Sequence, residues 1–398
     1  MRRLLAAVLL LAGCDPGAGP KSDAGAIKIV SSLPRLGSAK AQTDTIVNGI
    51  TMAIEEAGGK AGAFTIRYED HDDATAAETK ATAEREAAVA EQALKDPDVM
   101  VYIGPFNSGM AKISIPKLNA ARLLMISPSN SWPGLTKPGK GEAGEPDKYY
   151  PNGVRNYCRV VPADDMQGPV GADWAKSMGV KKVYVLHDNE VYGKGIAELF
   201  KARADEIGLK THGPEGIDVN AQEFRSLMTK VKVTEPDLVY FGGTSQTKGG
   251  QIAKDLVGVG LAAKLMVPDG CFEQSFIDAA GAANVNGRCY VTFGGLPPDR
   301  LTGRGKEFFD RYVKKHGRPP EAYAVYGYEA AKVALEAIRR AGKKDRDAIR
   351  EACLGIRDFE GALGKWSFDR NGDTTLRTFS GQAVRGGKFE FVTLLGGD

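Results

Sequence analysis

The chain has 398 residues, 42% apolar and 26% charged, with 53 Lys and Arg against 50 Asp and Glu for a formal charge of +3. That length supports two or three domain-sized cores, and the composition excludes a disordered or fibrous chain. The near-balanced charge gives a nucleic-acid partner no electrostatic footing.

Arg2 and Arg3 precede an apolar run, Leu4 to Leu11, that is too short to span a bilayer. The run ends in Leu11-Ala12-Gly13-Cys14, which resembles the bacterial lipobox. By that resemblance residues 1–13 are a signal peptide and Cys14 is the lipidated first residue, on the periplasmic or extracellular face of a membrane. The alternative is an ordinary secretory signal with a chance Cys. Removing residues 1–13 takes away Arg2 and Arg3 and lowers the formal charge from +3 to +1. Residues 14–26 then form a flexible tether without apolar pattern. Cys158, Cys271, Cys289 and Cys353 remain, in a compartment that permits disulfides. They allow three full pairings, with free buried thiols as the alternative, and none has the C-x-x-C spacing of a zinc site.

Ile27 to Leu33 reads as a buried strand, and the apolar stripe over Thr45 to Ala57 as a helix stopped by Gly58-Gly59. Phe64 to Tyr68 is a second strand. The acidic turn from Glu69 to Asp73 leads into a long Ala/Glu/Lys helix ending near Lys95, and is read as a solvated turn and cap rather than a metal site. Val99–Ile103 and Leu123–Ile126 are short apolar runs flanking a helix, which makes a βαβ unit with parallel strands. The first ends in Gly104-Pro105-Phe106-Asn107-Ser108-Gly109 and the second in Ser127-Pro128-Ser129-Asn130-Ser131. Both loops lie at the carboxyl edge of the sheet, where open α/β folds bind ligands. Ser108 begins the following helix, whose N–H groups and dipole favour an anion. This edge is expected to hold a ligand carboxylate; ordinary turn and cap serines are the alternative.

Trp132 to Asn156 has many Gly and Pro and no periodicity. It reads as a surface excursion near the cleft rim, pinned by Trp132, Tyr149 and Tyr150, from which 136–148 can be deleted without unfolding the protein. Its Gly134-x-x-x-x-Gly139-Lys140-Gly141 lacks the Ser or Thr, the strand and the helix of a nucleotide-binding loop. Alternation resumes with strands at Tyr157–Val161, Lys182–His187, Leu209–His212, Leu238–Phe241, Leu265–Val267 and Cys289–Thr292, separated by helices. Thr302 to about Leu354 reads as three helices. The C-terminus reads as β-rich, with Gly364–Asp369 and Thr375–Val384 forming a hairpin about Asn371-Gly372 and Phe389–Leu395 following Gly386-Gly387. Asp369, Asn371 and Asp373 mimic the start of a calcium loop, but the sixth-position glycine and final Glu are absent. Hydrolase, zincin and dinucleotide motifs are missing, and the four histidines are widely spaced. No enzyme activity, cofactor or metal is expected.

Taken together the residues resemble the type I periplasmic solute-binding proteins of branched-chain amino-acid ABC transporters, the leucine/isoleucine/valine-binding family, in lipoprotein form. The resemblance covers about Ile27 to Leu395. It rests on Asn48-Gly49, Ile103-Gly104-Pro105-x-x-Ser108, Ser127-Pro128-Ser129-x-Ser131, Asp164-x-x-Gln167-Gly168-Pro169 and His187-Asp188-x-x-x-Tyr192-Gly193. Val239-Tyr240-Phe241-Gly242-Gly243, Pro268-Asp269-Gly270 and Gly364-Lys365-Trp366-x-Phe368-Asp369-x-x-Gly372-Asp373 complete the series. Their shared order and spacing make the likeness specific.

The resemblance implies an α/β fold of two doubly wound parallel-sheet lobes joined by a three-strand hinge. Lobe 1 would be 27–160 and 293–355, with the insertion 132–156, and lobe 2 would be 161–292 and 356–398. It implies a monomer that closes on an amino acid or small carboxylate and delivers it to a transporter permease. A ligand-sensing or cell-wall-enzyme-regulating lipoprotein of the same fold is the alternative. Ser108 and Ser131 match the hydroxyls that hold the ligand carboxylate, and Ser129 the residue whose carbonyl takes the ammonium. Tyr192 matches an aromatic pocket residue. Asp269 matches an acidic partner of the ammonium, usually the longer Glu; a helix N-cap is its structural alternative. Thr244 and Gln42 stand where other members carry aromatic rings, and Phe106 is counted with the ligand-binding set.

Overall fold

The short apolar runs assemble into two sheets, seen in a computed structural model that describes residues 23–396. Cys14 and most of the tether lie outside the described residues. The first sheet has the order Lys60–Ala61, Phe64–Asp72, Ala26–Leu33, Val99–Ile103, Leu124–Ser127, Tyr157–Arg159, parallel except for its first, edge strand. The second has the order Lys388–Leu395, Phe379–Arg385, Cys289–Gly294, Lys264–Val267, Leu238–Gly242, Lys182–His187, Lys210–Gly216. Its first two strands run antiparallel as a terminal hairpin and the rest are parallel. Every residue of Val99–Ile103 and of Leu238–Gly242 is buried. Strands covered by helices on both faces lose the alternation of a half-exposed strand and read as continuous apolar runs.

In the first sheet the winding reverses between Ala26–Leu33 and Val99–Ile103, and in the second between Lys182–His187 and Leu238–Gly242. These switch points leave crevices at the carboxyl ends of the strands. The loops that line them carry Asn107 and Ser108 in one lobe, and Asp188, Thr244 and Gln246 in the other. Helix Ala324–Ala341 returns the chain to the first lobe and packs on helix Lys40–Glu56. A Cβ on Gly49 would lie 2.3 Å from the Ala324 carbonyl oxygen, and one on Gly327 2.6 Å from that of Ile46. Glycine at both positions is what lets the two helices approach.

A buried arginine ties the connections to the serine loop. Arg159 ends the last strand of the first sheet with no exposed surface. Its Nε donates to Asp373 Oδ1 at 2.6 Å, and its Nη1 donates to the carbonyls of Trp132 at 2.8 Å and Asn130 at 3.2 Å. Thr136 Oγ1 donates to the same Asp373 carboxylate at 2.8 Å.

Three local expectations change. The long helix after the acidic turn begins only at Ala83, where Thr82 caps it by accepting the Arg85 N–H; residues 74 and 81 form an isolated bridge before it. The Asn371-Gly372 turn does not join Gly364–Asp369 to Thr375–Val384. Gly364–Trp366 pairs back with Phe359–Gly361, and the turn closes on itself as Asp369 Oδ1 accepts the N–H groups of Asn371 and Asp373. The Asp373 side chain is drawn instead to Arg159. The hairpin Phe359–Trp366 leans on helix Ala324–Ala341, where Glu329 accepts from the Trp366 indole at 2.6 Å and the Ala362 N–H at 2.8 Å. The chain therefore joins the second sheet at Phe379, later than residue 356.

The excursion 132–156 holds more of the structure than its composition promised. Glu145 is buried and accepts from the Trp132 indole at 2.9 Å and the Tyr149 hydroxyl, with Lys112 at 2.8 Å. Burial alone would raise its pKa, but these donors hold the carboxyl at about 2. With Thr136 in the Arg159 cluster, removal of 136–148 would open two buried polar networks. The excursion also reaches the second lobe, through Lys137 to Asp165 at 2.7 Å and through Trp132 against Gly195.

Candidate functional site

The two crevices face each other and enclose one cavity, with ≈ 290 Å³ of empty space including its mouth. Phe106, Ser108 and Ser129 line it from the first lobe, and Tyr192, Thr244 and Asp269 from the second, together with Asn107, Gly270 and Tyr323. An adjoining void of ≈ 470 Å³ shares Asn107, Ser108, Tyr192 and Thr244 with it. The sequence-derived set therefore converges, with two exceptions.

Ser108 opens helix Ser108–Ala120 and is 2% exposed. Its Oγ accepts the N–H groups of Ser131 at 3.2 Å and Trp132 at 3.3 Å. Both lone pairs are thereby engaged, which leaves the hydroxyl hydrogen to donate toward an anion. The serine loop behind it is fixed from within. Ser127 Oγ accepts the N–H groups of Ser129 and Asn130, while Ser129 Oγ and Asn130 Nδ2 donate to the Phe106 carbonyl at 2.9 Å. Ser131 is buried behind Ser108 and does not line the cavity; its hydroxyl stands beside the Asp164 carboxylate.

Gln42 is the other exception. It is 1% exposed, and its amide is already spent: Nε2 donates to the Phe272 carbonyl at 3.3 Å and Oε1 accepts the Tyr323 N–H at 2.9 Å. It joins the first helix to the second lobe and to the segment carrying Tyr323, so it acts as a brace rather than as pocket lining. Thr244 lines the cavity, but its hydroxyl belongs to a reciprocal cap with Thr247, whose Oγ1 in turn donates to Asp188 at 2.6 Å.

Asp269 forms the opposite wall and is 2% exposed. It follows strand Lys264–Val267 but caps no helix; the helix Gln274–Ala280 starts after Glu273. Its Oδ1 accepts from Gln167 Nε2 at 2.9 Å and from the Tyr192 hydroxyl, and its Oδ2 accepts from the Tyr323 hydroxyl. Burial raises its pKa, and the three neutral donors offset part of that rise. Asp164, one helical turn before Gln167 and on the same face, is fully buried, with the Ser131 hydroxyl beside its carboxylate. Burial and the neighbouring Asp269 carboxylate push its pKa well up.

Gln167, Tyr323, Asn107 and Gln246 were not singled out from the sequence as site residues. Gln167 stood inside a family motif, three residues from Asp164, a spacing that puts both on one helix face. Tyr323 and Gln246 carried no signal, since each reaches the cleft through a fold contact. Asn107 stood in the loop before Ser108 and was given no role of its own.

Residues 26–388 match the family described as periplasmic binding protein. A Leu/Ile/Val-binding protein homolog of Brucella abortus is 30% identical over 361 residues, 89% of each chain. The chain is a type I periplasmic binding protein. Among solved structures, this binding protein is similar to a leucine-binding protein of Thermotoga maritima, at TM-score 0.82 and 25% identity over 93% of this chain and 99% of that one. It shares its fold with a solute-binding protein of Rhodopseudomonas palustris in complex with p-hydroxybenzoic acid, at TM-score 0.79 and 17% identity over 93% of this chain and 97% of that one. The family is extracytoplasmic, and among the described residues no helix is long and apolar enough to cross a membrane. The four described cysteines are free and buried, with Cys158 Sγ and Cys353 Sγ 3.7 Å apart.

Proposed function

We propose that this binding protein captures an amino acid, or a related small carboxylate, between its lobes and hands it to an ABC transporter permease. The observation that carries the reading is the polarity of the cavity. A hydroxyl and a helix N-terminus lie on one wall at Ser108, and a buried acid attended only by neutral donors lies on the other at Asp269. An amino acid offers a carboxylate and an ammonium on one carbon, and each charge-assisted hydrogen bond in a dry cleft contributes about 1.5–3 kcal/mol. In this reading Ser108 and the first-turn N–H groups take the carboxylate, Asp269 takes the ammonium with the Ser129 carbonyl, and Tyr192 and Phe106 bound the pocket. Ser131 acts from behind, through its N–H on Ser108. The lobes move about their connections as a monomer, bind without covalent chemistry, and are held at the membrane by lipid on Cys14.

A thermal-shift panel of amino acids and small carboxylates tests the capture, because a ligand that binds only the folded state raises the melting point by mass action. A panel in which no such compound moves the melting point contradicts it. The anchor is tested separately: Cys14→Ser should move the protein from the membrane to the soluble fraction, and a variant that stays on the membrane overturns the lipid assignment.

A further inference from the structure

We propose that the part of the ligand beyond its α-carbon is polar and uncharged, carrying a hydrogen-bond donor and an acceptor side by side as a carboxamide does, and that Asn107 and Gln246 read it. This rests on the amino-acid reading above and narrows it. Asn107, from the first lobe, donates through Nδ2 to Gln246 Oε1 of the second lobe at 3.0 Å, so the pair spans the cleft. Asn107 Oδ1 and Gln246 Nε2 are left buried without a partner. One mutual bond between two primary amides always leaves one amide oxygen and one amide nitrogen with no partner. Turning both amides end for end exchanges which residue supplies which, and the inventory is unchanged.

The remainder lies within reach of a bound amino acid. Asn107 adjoins Ser108 in sequence and lines both the cavity and the adjoining void, and Gln246 lines the adjoining one. A ligand held at Ser108 and Asp269 therefore has its side chain beside this amide pair. A carboxamide closes the pattern, its N–H to the free oxygen and its carbonyl to the free N–H. A leucine side chain would keep both groups from water and give them nothing, which carries a desolvation cost. A carboxylate side chain would face an amide oxygen, and an ammonium would face an amide N–H. A site built to hydrogen-bond a ligand group discriminates strongly against analogues that lack it.

Calorimetry on the full-length chain with L-glutamine, L-asparagine, L-leucine and L-glutamate tests this. One of the two amides should bind at least ten-fold more tightly than leucine and than glutamate. The Asn107→Leu/Gln246→Leu variant should lose that margin, and Gln246→Glu, which keeps size and polarity but removes the donor, should weaken the amide at least ten-fold. Leucine or glutamate binding as tightly as either amide overturns the inference and leaves amino-acid capture standing. Unchanged amide affinity in both variants overturns the role of the pair. A chain that binds p-hydroxybenzoate but no amino acid leaves small-carboxylate capture standing and overturns the amino-acid reading and this inference with it.

Discussion

Asp373 and Asp269 are both buried carboxylates that lie between segments distant in sequence, yet their surroundings differ. Asp373 faces a guanidinium: Arg159 donates to it at 2.6 Å, and Thr136 adds a hydroxyl. Its charge is closed within the protein, and the result is a fixed junction of the serine loop, the excursion and the C-terminal segment. Asp269 receives hydrogen bonds from an amide and two phenols. Those donors orient it but leave its charge uncompensated. A buried acid paired with a buried base serves the fold, whereas one held only by neutral donors is free to meet a cation brought by a ligand.

The strongest way to break this contrast is to remove the base. Arg159→Met strands Asp373 among buried groups and should lower stability by about 3–5 kcal/mol in denaturant titration. Arg159→Met/Asp373→Leu should recover much of that loss, because no uncompensated charge remains. A single variant as stable as the parent would place Asp373 in the same class as Asp269. Next in size is the contact that seals the cleft. A Cβ on Gly195 would lie 2.2 Å from the Trp132 ring, which Glu145 holds in place. Gly195→Ala should hinder closure by about 1–3 kcal/mol of overpacking, roughly 5- to 150-fold in affinity, with little change in melting point without ligand. Unaltered affinity would mean that the lobes close without this contact.

The smallest expected effect concerns the other buried acids. Burial pushes Glu273 up to about 8 and Glu86, Asp188 and Glu329 to about 7. In the unfolded chain carboxyls titrate near 4 to 4.5. Between those limits the folded state holds more protons, so stability is full below the ordinary carboxylate range and falls as pH rises through 7 to 8. The ligand-free protein should melt higher at pH 5.5 than at pH 8.5, and Glu273→Gln should narrow that gap by about 2 °C. A gap that widens on substitution would contradict the sign.

What the sequence made legible follows the same division. The unit Val99–Ser127 stood out because strands covered on both faces are continuous apolar runs, and its serine loops follow from the rule for carboxyl edges. Asp269 was marked by the family resemblance, and its place just beyond a buried strand agrees with the same rule. Arg159 and Asp373 lie 214 residues apart and are brought together only by the fold, so the Asn371-Gly372 turn looked like an ordinary hairpin. Gln42 was assigned to the pocket because an aromatic stands at that position in relatives. Its amide was long enough to reach Phe272 and Tyr323 instead. Trp132 to Asn156 looked dispensable because apolar periodicity does not register a polar network built on one buried glutamate.

The central claim is that Asp269 is left charged for a ligand ammonium. Calorimetry of Asp269→Asn with the best-binding amino acid tests it most directly. Asparagine keeps the size of the side chain and an acceptor oxygen, and the Tyr192 and Tyr323 hydroxyls can turn to accept from its amide, so the ligand-free melting point should stay near the parent value. Loss of one charge-assisted bond should weaken amino-acid binding about ten-fold or more, at ~1.4 kcal/mol per decade. Parent-like affinity for the amino acid in a stably folded Asp269→Asn protein would contradict the claim and assign Asp269, like Asp373, to the fold.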